Sequence, residues 1–170
     1  FCGTAGSLAV EGMLLAPVGE RGFLYQLTVR STSDKPLSST FGLEGCWASA
    51  WHCVNEDKEI DGARRCYTSL WNDSLIFDMR CGLPLFAFAP MMDQPCSSTF
   101  QETDAGIVYR LAHACTLEPG EAVTVTFYWG VGFEEVAAAT SAKEMLRQGW
   151  QHELQVTTDW LDARRWPIPD

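Results

Sequence analysis

Carboxylates, indoles and one adjacent His-Cys pair are the residues of this chain whose chemistry could serve a function. Glycoside hydrolysis needs two carboxyl groups about 5 to 10 Å apart, one giving a proton while the other attacks or activates water. The chain has 22 acidic residues, and Glu44, Asp73 and Asp78 lie near aromatic residues in expected strands. With so many carboxylates some neighbours arise by chance, and no residue is singled out as catalytic. His52-Cys53 could suggest a thiolate with its base. Neighbours on a strand point to opposite faces, however, and no third group is placed to orient the histidine, so that reading is set aside.

The indoles are more informative. Trp47, Trp51 and Trp71 fall close together, with Tyr67 nearby. Sugars stack flat C–H faces on indoles while neighbouring Asn, Asp and Arg bond their hydroxyls, and Trp71-Asn72-Asp73 offers that combination. Trp47, Trp51, Trp71, Asn72 and Asp73 are therefore the candidate carbohydrate-binding residues. The competing expectation is that the three indoles fill the core, since Trp is highly buried on average. Trp47 and Trp51, an even number apart, would share one face of a regular strand. Asn72-Asp73-Ser74 also reads as an N-glycosylation sequon, which matters only in a secreted eukaryotic protein.

The seven cysteines (Cys2, Cys46, Cys53, Cys66, Cys81, Cys96, Cys115) are odd in number and form no C-x-x-C knuckle, and the three histidines are far apart. No metal site and no cofactor are expected from them. Most are expected to be buried free thiols, which behave as small hydrophobes; partial disulfide pairing in a secreted protein is the alternative. Gly130-Val131-Gly132 lacks the third glycine of a dinucleotide-binding turn, and is expected to break a strand before a helix.

These groups must be positioned by a single domain of ordinary size. The chain has 170 residues, of which 46% are hydrophobic and 20% charged, so it buries a core. Its net charge of −10 and scattered Lys and Arg argue against nucleic acid and against an anionic membrane surface. No apolar run approaches the ~20 residues of a membrane span, and no signal peptide is visible. Localisation stays open between the cytoplasm and secretion. The chain begins at Phe1 and stops at Asp170, and both ends read as cuts in a longer polypeptide.

Period-two alternation marks strands at residues 7–16 and 23–30, with Phe23, Tyr25, Leu27 and Val29 on one face. Further strands are expected at 39–43, 47–54, 66–71, 75–79 and 83–89, a polar loop at 93–106, and strands at 107–115 and 123–130. Pro119-Gly120 should centre a type II turn between the last two. Eight or nine short strands at this spacing make the fold mainly β, an antiparallel β-sandwich. An Ala-rich helix should follow over 134–150, with Val136, Ala139, Lys143, Leu146 and Trp150 on its inner stripe. The capping box Ser141-Ala142-Lys143-Glu144 offers a later start. A second helix is expected over 151–165, with Leu154, Trp160, Leu161 and Arg164 on related faces, ended by Pro167 and Pro169. This divides the chain into a sandwich, 1–132, and a helical linker, 133–170, towards a following domain.

The order of the last segments resembles a known junction. Leu117-x-Pro119-Gly120-Glu121, the strand 123–130 with Gly132, the Ala-rich helix and Trp160-Leu161-x-x-Arg164 are similar to the end of a particular N-terminal β-sandwich domain. That domain, of supersandwich type, precedes the six-hairpin α-barrel of glucoamylase-like and cellobiose-phosphorylase-like enzymes. The resemblance is firm over about the last 55 residues and implies a non-catalytic module of a glycoside hydrolase or phosphorylase. Such a module packs on the catalytic α-barrel of its own polypeptide, shapes the rim of the cleft and can take part in a homodimer. Catalytic carboxylates lie mainly in the barrel, so the resemblance assigns none here. A stand-alone carbohydrate-binding module, with carbohydrate as partner, and a structural or adhesion sandwich are the alternatives.

Overall fold

The computed structural model describes residues 1–48, 51–53, 58–60, 63–70, 73–80 and 86–165. Within them the chain forms twelve strands followed by two helices. The strands are β1 (Cys2–Ala5), β2 (Leu8–Leu15), β3 (Gly22–Ser31), β4 (Leu37–Ala48), β5 (Trp51–Cys53), β6 (Lys58–Ile60), β7 (Ala63–Thr68), β8 (Leu75–Arg80), β9 (Phe86–Met92), β10 (Ser97–Thr103), β11 (Gly106–Leu117) and β12 (Ala122–Gly132). The helices are α1 (Glu135–Gln148) and α2 (Trp150–Asp162).

A seven-stranded sheet in the order β1-β2-β3-β12-β9-β8-β7 faces a three-stranded sheet, β10-β11-β4, and β5 pairs with β6. All pairings are antiparallel. The fold is the expected mainly-β sandwich. Its core lies between the sheets, where Leu27, Val125, Phe127 and Phe77 meet Ile107, Leu111 and Leu117. The alternation read from β3 holds: Phe23, Tyr25, Leu27 and Val29 point inward, each opposite an inward residue of β12.

The outer face of the large sheet is where the helices pack. Ile76 is covered by Ala138, Ala139 and Ala142, while Leu24 and Tyr128 meet Met145 and Trp150. β12 is thus buried on both faces, which explains why its run of apolar and aromatic residues is nearly continuous. The inner stripe of α1 differs from the expected one. Small residues face the sheet, while Val136 and Lys143 are exposed. A helix that must approach a sheet closely selects for alanine volume rather than for hydrophobicity alone.

Four further expectations are corrected. Strand β4 is one unbroken element from Leu37 to Ala48, where a break after Leu43 was expected; pairing with β11 over its whole length carries it through the two glycines. The polar stretch 93–106 holds β10, whose mostly exposed residues give no hydrophobic alternation to read. The capping box does not start the helix, because α1 begins at Glu135 and Ser141 donates to the Arg21 carbonyl at 3.0 Å. Gly130 and Gly132 do not interrupt the strand but belong to it. The turn before β12 forms as expected, closed by the Glu121 N–H donating to the Glu118 carbonyl at 3.0 Å with Gly120 at φ 78°. Gly149, at φ 84°, is the hinge at which α1 stops and α2 begins.

Candidate functional site

Two concave regions gather chemically capable side chains. The first opens where the two sheets part, a hollow of about 430 Å³. Period-two strands bring Phe23, Tyr25, Trp47, Phe77, Tyr109 and Trp129 to it, with Leu14 at the mouth, 68% exposed. Phe23 stacks on Trp129 with centroids 5.4 Å apart, and Trp47 meets Phe77 edge-on at 5.3 Å. Among the described residues none of the lining side chains carries a formal charge. Burial pushes the Tyr25 and Tyr109 hydroxyls up, so both stay neutral donors. Such a surface can take a flat, uncharged face by stacking.

The second lies where α1 leaves the sheet, a hollow of about 300 Å³ lined by Arg65, Tyr67, Asp78, Phe133 and Glu135. Arg65 and Asp78 are cross-strand partners in β7 and β8, and the guanidinium donates from Nε at 3.1 Å and from its terminal nitrogen at 2.5 Å to one Asp78 oxygen. Tyr67 donates to Glu135 Oε2 at 2.9 Å and Ser69 donates to Oε1 at 2.8 Å. Burial, then the hydrogen bond to Glu135 and its charge, pushes the Tyr67 hydroxyl up to about 12. Glu135 stands at the first turn of α1, where a carboxylate is favoured by the helix dipole. Both carboxylates are therefore committed as acceptors, one to a cation and one to two hydroxyls. Sequence reasoning missed Glu135, because its partners are 66 and 68 residues away.

The candidate carbohydrate-binding residues are distributed as follows. Trp47 is half-buried on the first hollow and packs against the core. Trp51 lies in β5, described by its backbone alone, and Trp71 and Asn72 lie outside the described residues. Asp73 stands in the β7–β8 turn at φ 57°, donating its N–H to the Ser69 carbonyl at 3.2 Å. It lines a different hollow from Trp47, beside Met91 and Leu111. Of the carboxylates singled out with it, Glu44 is exposed opposite Arg110, and Asp78 is buried at the polar junction. Of the five described thiols, which are free, only Cys66 is buried; Cys2, Cys46 and Cys96 are exposed, which corrects the expectation that most would be inside. Cys2 and Cys46 lie on the edge strands β1 and β4, and Cys96 just before β10, where water reaches them. Among the described residues no group of three or more His, Cys, Asp or Glu is placed to hold a metal.

The fold has a solved counterpart. A structure titled "Putative kojibiose phosphorylase from human microbiome" superposes with a TM-score of 0.67 over 95% of this chain, at 11% sequence identity. The fold is that of one part of a larger protein. This chain spans 22% of the length of that structure. No protein-family model and no curated sequence matches the chain.

Proposed function

We propose that this chain is a non-catalytic β-sandwich module of a carbohydrate-active enzyme, a glycoside hydrolase or phosphorylase, supporting a catalytic α-barrel of the same polypeptide and the rim of its cleft. The observation that carries the reading is the way the chain leaves the sandwich. β12 passes into α1, which lies against Gly130 and Gly132, and α2 then presents exposed apolar residues, of which Trp160 is partly covered by the Arg164 guanidinium at 4.1 Å. Leu154, Trp160 and Leu161 flank the buried stripe of Trp150, Glu153 and Thr157, and Leu161 is 53% exposed. An apolar helix end of this kind suits a neighbour made of helices. On this reading residues 1–132 are the sandwich and 133–170 lead to the following domain. The commitment of Asp78 and Glu135 to internal partners supports a role without chemistry of its own. The fold likeness to part of a protein titled as a phosphorylase supports the enzyme class.

The test is a double substitution, Leu154→Asp with Leu161→Asp. In this chain alone it should leave the melting temperature nearly unchanged, because both sites are exposed. In the longer polypeptide it should open the junction to limited proteolysis. Equal resistance in the longer protein would contradict the reading.

A second reading, a carbohydrate-binding module, is favoured by one observation: Trp47 borders an uncharged aromatic hollow. It assigns Trp47, Trp51, Trp71, Asn72 and Asp73 to sugar contact. Titration with oligosaccharides checks it, and Trp47→Ala should weaken any binding at least tenfold.

A further inference from the structure

We propose that Glu153 makes the seating of α2 on the sandwich depend on pH, the helix being held while this carboxyl is neutral and loosened when it ionises. Glu153 points into the contact between α2 and the sheet and is only 3% exposed. Among the described residues its Oε1 has no hydrogen-bond partner. An ionised carboxylate there leaves Oε1 with neither water nor a donor, whereas the neutral acid loses much less on burial.

The surroundings reinforce the preference. Glu20 faces it from the turn between β2 and β3, and Glu144 faces it from α1; both carry its own sign. Glu144 is bridged to Arg147, which blunts its effect without reversing it. Tyr128 of β12 faces the same site, and burial keeps its hydroxyl neutral. Among the described residues His152 on α2 is the opposing group, favouring the charged form when it is protonated. Burial, followed by Glu20, therefore holds the Glu153 carboxyl above the ordinary 4.5. A raised carboxyl favours the seated helix fully below its ordinary value, and that stability is lost as pH rises through the seated-state value. Among the described residues this face has other polar ties, the Val18 N–H donating to Thr157 Oγ1 at 3.2 Å and the Trp150 backbone bonded to the Tyr128 hydroxyl, which burial keeps neutral. The helix thus has a single ionisable element in its buried stripe, next to the apolar contacts of Trp150 and Met145. The device does not depend on what the module supports.

Hydrogen exchange tests it on the chain as it stands. Protection factors of residues 150–162, corrected for intrinsic exchange, are compared with those of β12 at pH 5 and pH 8. The expected result is a loss of protection at α2 relative to β12 at pH 8. Glu153→Gln should abolish the loss and leave α2 more protected at pH 8. If that variant fails to fold, Glu20→Gln with Glu144→Gln should shrink the loss while keeping Glu153 in place. His152→Gln should keep it. A wild-type α2 equally protected at both values, or a loss that survives Glu153→Gln or disappears in His152→Gln, would overturn the proposal.

Discussion

Gly130 of β12 lies directly beneath Ala142 of α1, so close that a methyl group at position 130 would stand 2.6 Å from the Ala142 amide nitrogen. A second contact of the same kind joins Gly132 to Ala138, again at 2.6 Å from the amide nitrogen. Two glycines on the strand and three alanines on the helix together set the height of α1 above the sheet. Gly130→Ala must lift the helix, at a cost of about 1–3 kcal/mol for overpacking. Gly3→Ala, with open space around it, is the control and should stay within about 0.5 kcal/mol. Urea denaturation of the two variants gives the comparison.

The clamp between Tyr67 and Glu135 predicts a smaller, local effect. Tyr67→Phe removes one donor to the carboxylate while Ser69 retains the other. The expected loss is about 1 kcal/mol. Hydrogen exchange should rise in the first turn of α1 and stay unchanged in β11. A uniform rise across the sandwich would mean that the bond holds more than the helix start.

Cys66 gives a prediction about reactivity. Burial, with Glu102 adding a smaller push, raises its thiol to about 12, so it remains protonated at pH 8. Thiolates alkylate and thiols do not. Iodoacetamide at pH 8 should therefore modify the exposed Cys2 and Cys46 long before Cys66, which reacts only on unfolding. Peptide mapping by mass spectrometry reads the order, and early labelling of Cys66 would contradict its burial.

Phe127 is fully buried where both sheets meet, opposite Tyr25 and Met92. Phe127→Ala should lose about 3–5 kcal/mol. The loss would appear as a lower denaturation midpoint, whereas Leu70→Ala, at a residue 98% exposed, should leave the midpoint in place.

The parts of this fold that were legible in the sequence are those with a periodic signature. β3 and β12 alternate or run apolar, Pro119-Gly120 fits its turn, and the change to alanine announces α1. What was not legible depends on partners distant in the chain. β10 has almost no buried residue, so nothing in its own pattern marks it; it is a strand because β11 offers it hydrogen bonds. The stripe of α1 was misplaced because hydrophobicity points to Val136 and Leu146, while the sheet takes Ala138, Ala139 and Ala142 over Ile76 and the glycines and Met145 over Leu24 and Tyr128. Trp47 was legible as an aromatic of the sandwich, but only the pairing of β4 with β11 places it half-buried against the core at the edge of a hollow. Glu135 gave no signal, since a glutamate at a helix start is ordinary until Tyr67 and Ser69 are seen to meet it.

The measurement that tests the central claim most directly is turnover of disaccharides by this chain and by the longer polypeptide it is proposed to belong to, with and without inorganic phosphate. The account predicts no release of sugar or sugar phosphate by the chain alone, and release by the longer protein. Turnover by the isolated chain, or a longer protein inactive on every glycoside tried, would contradict it.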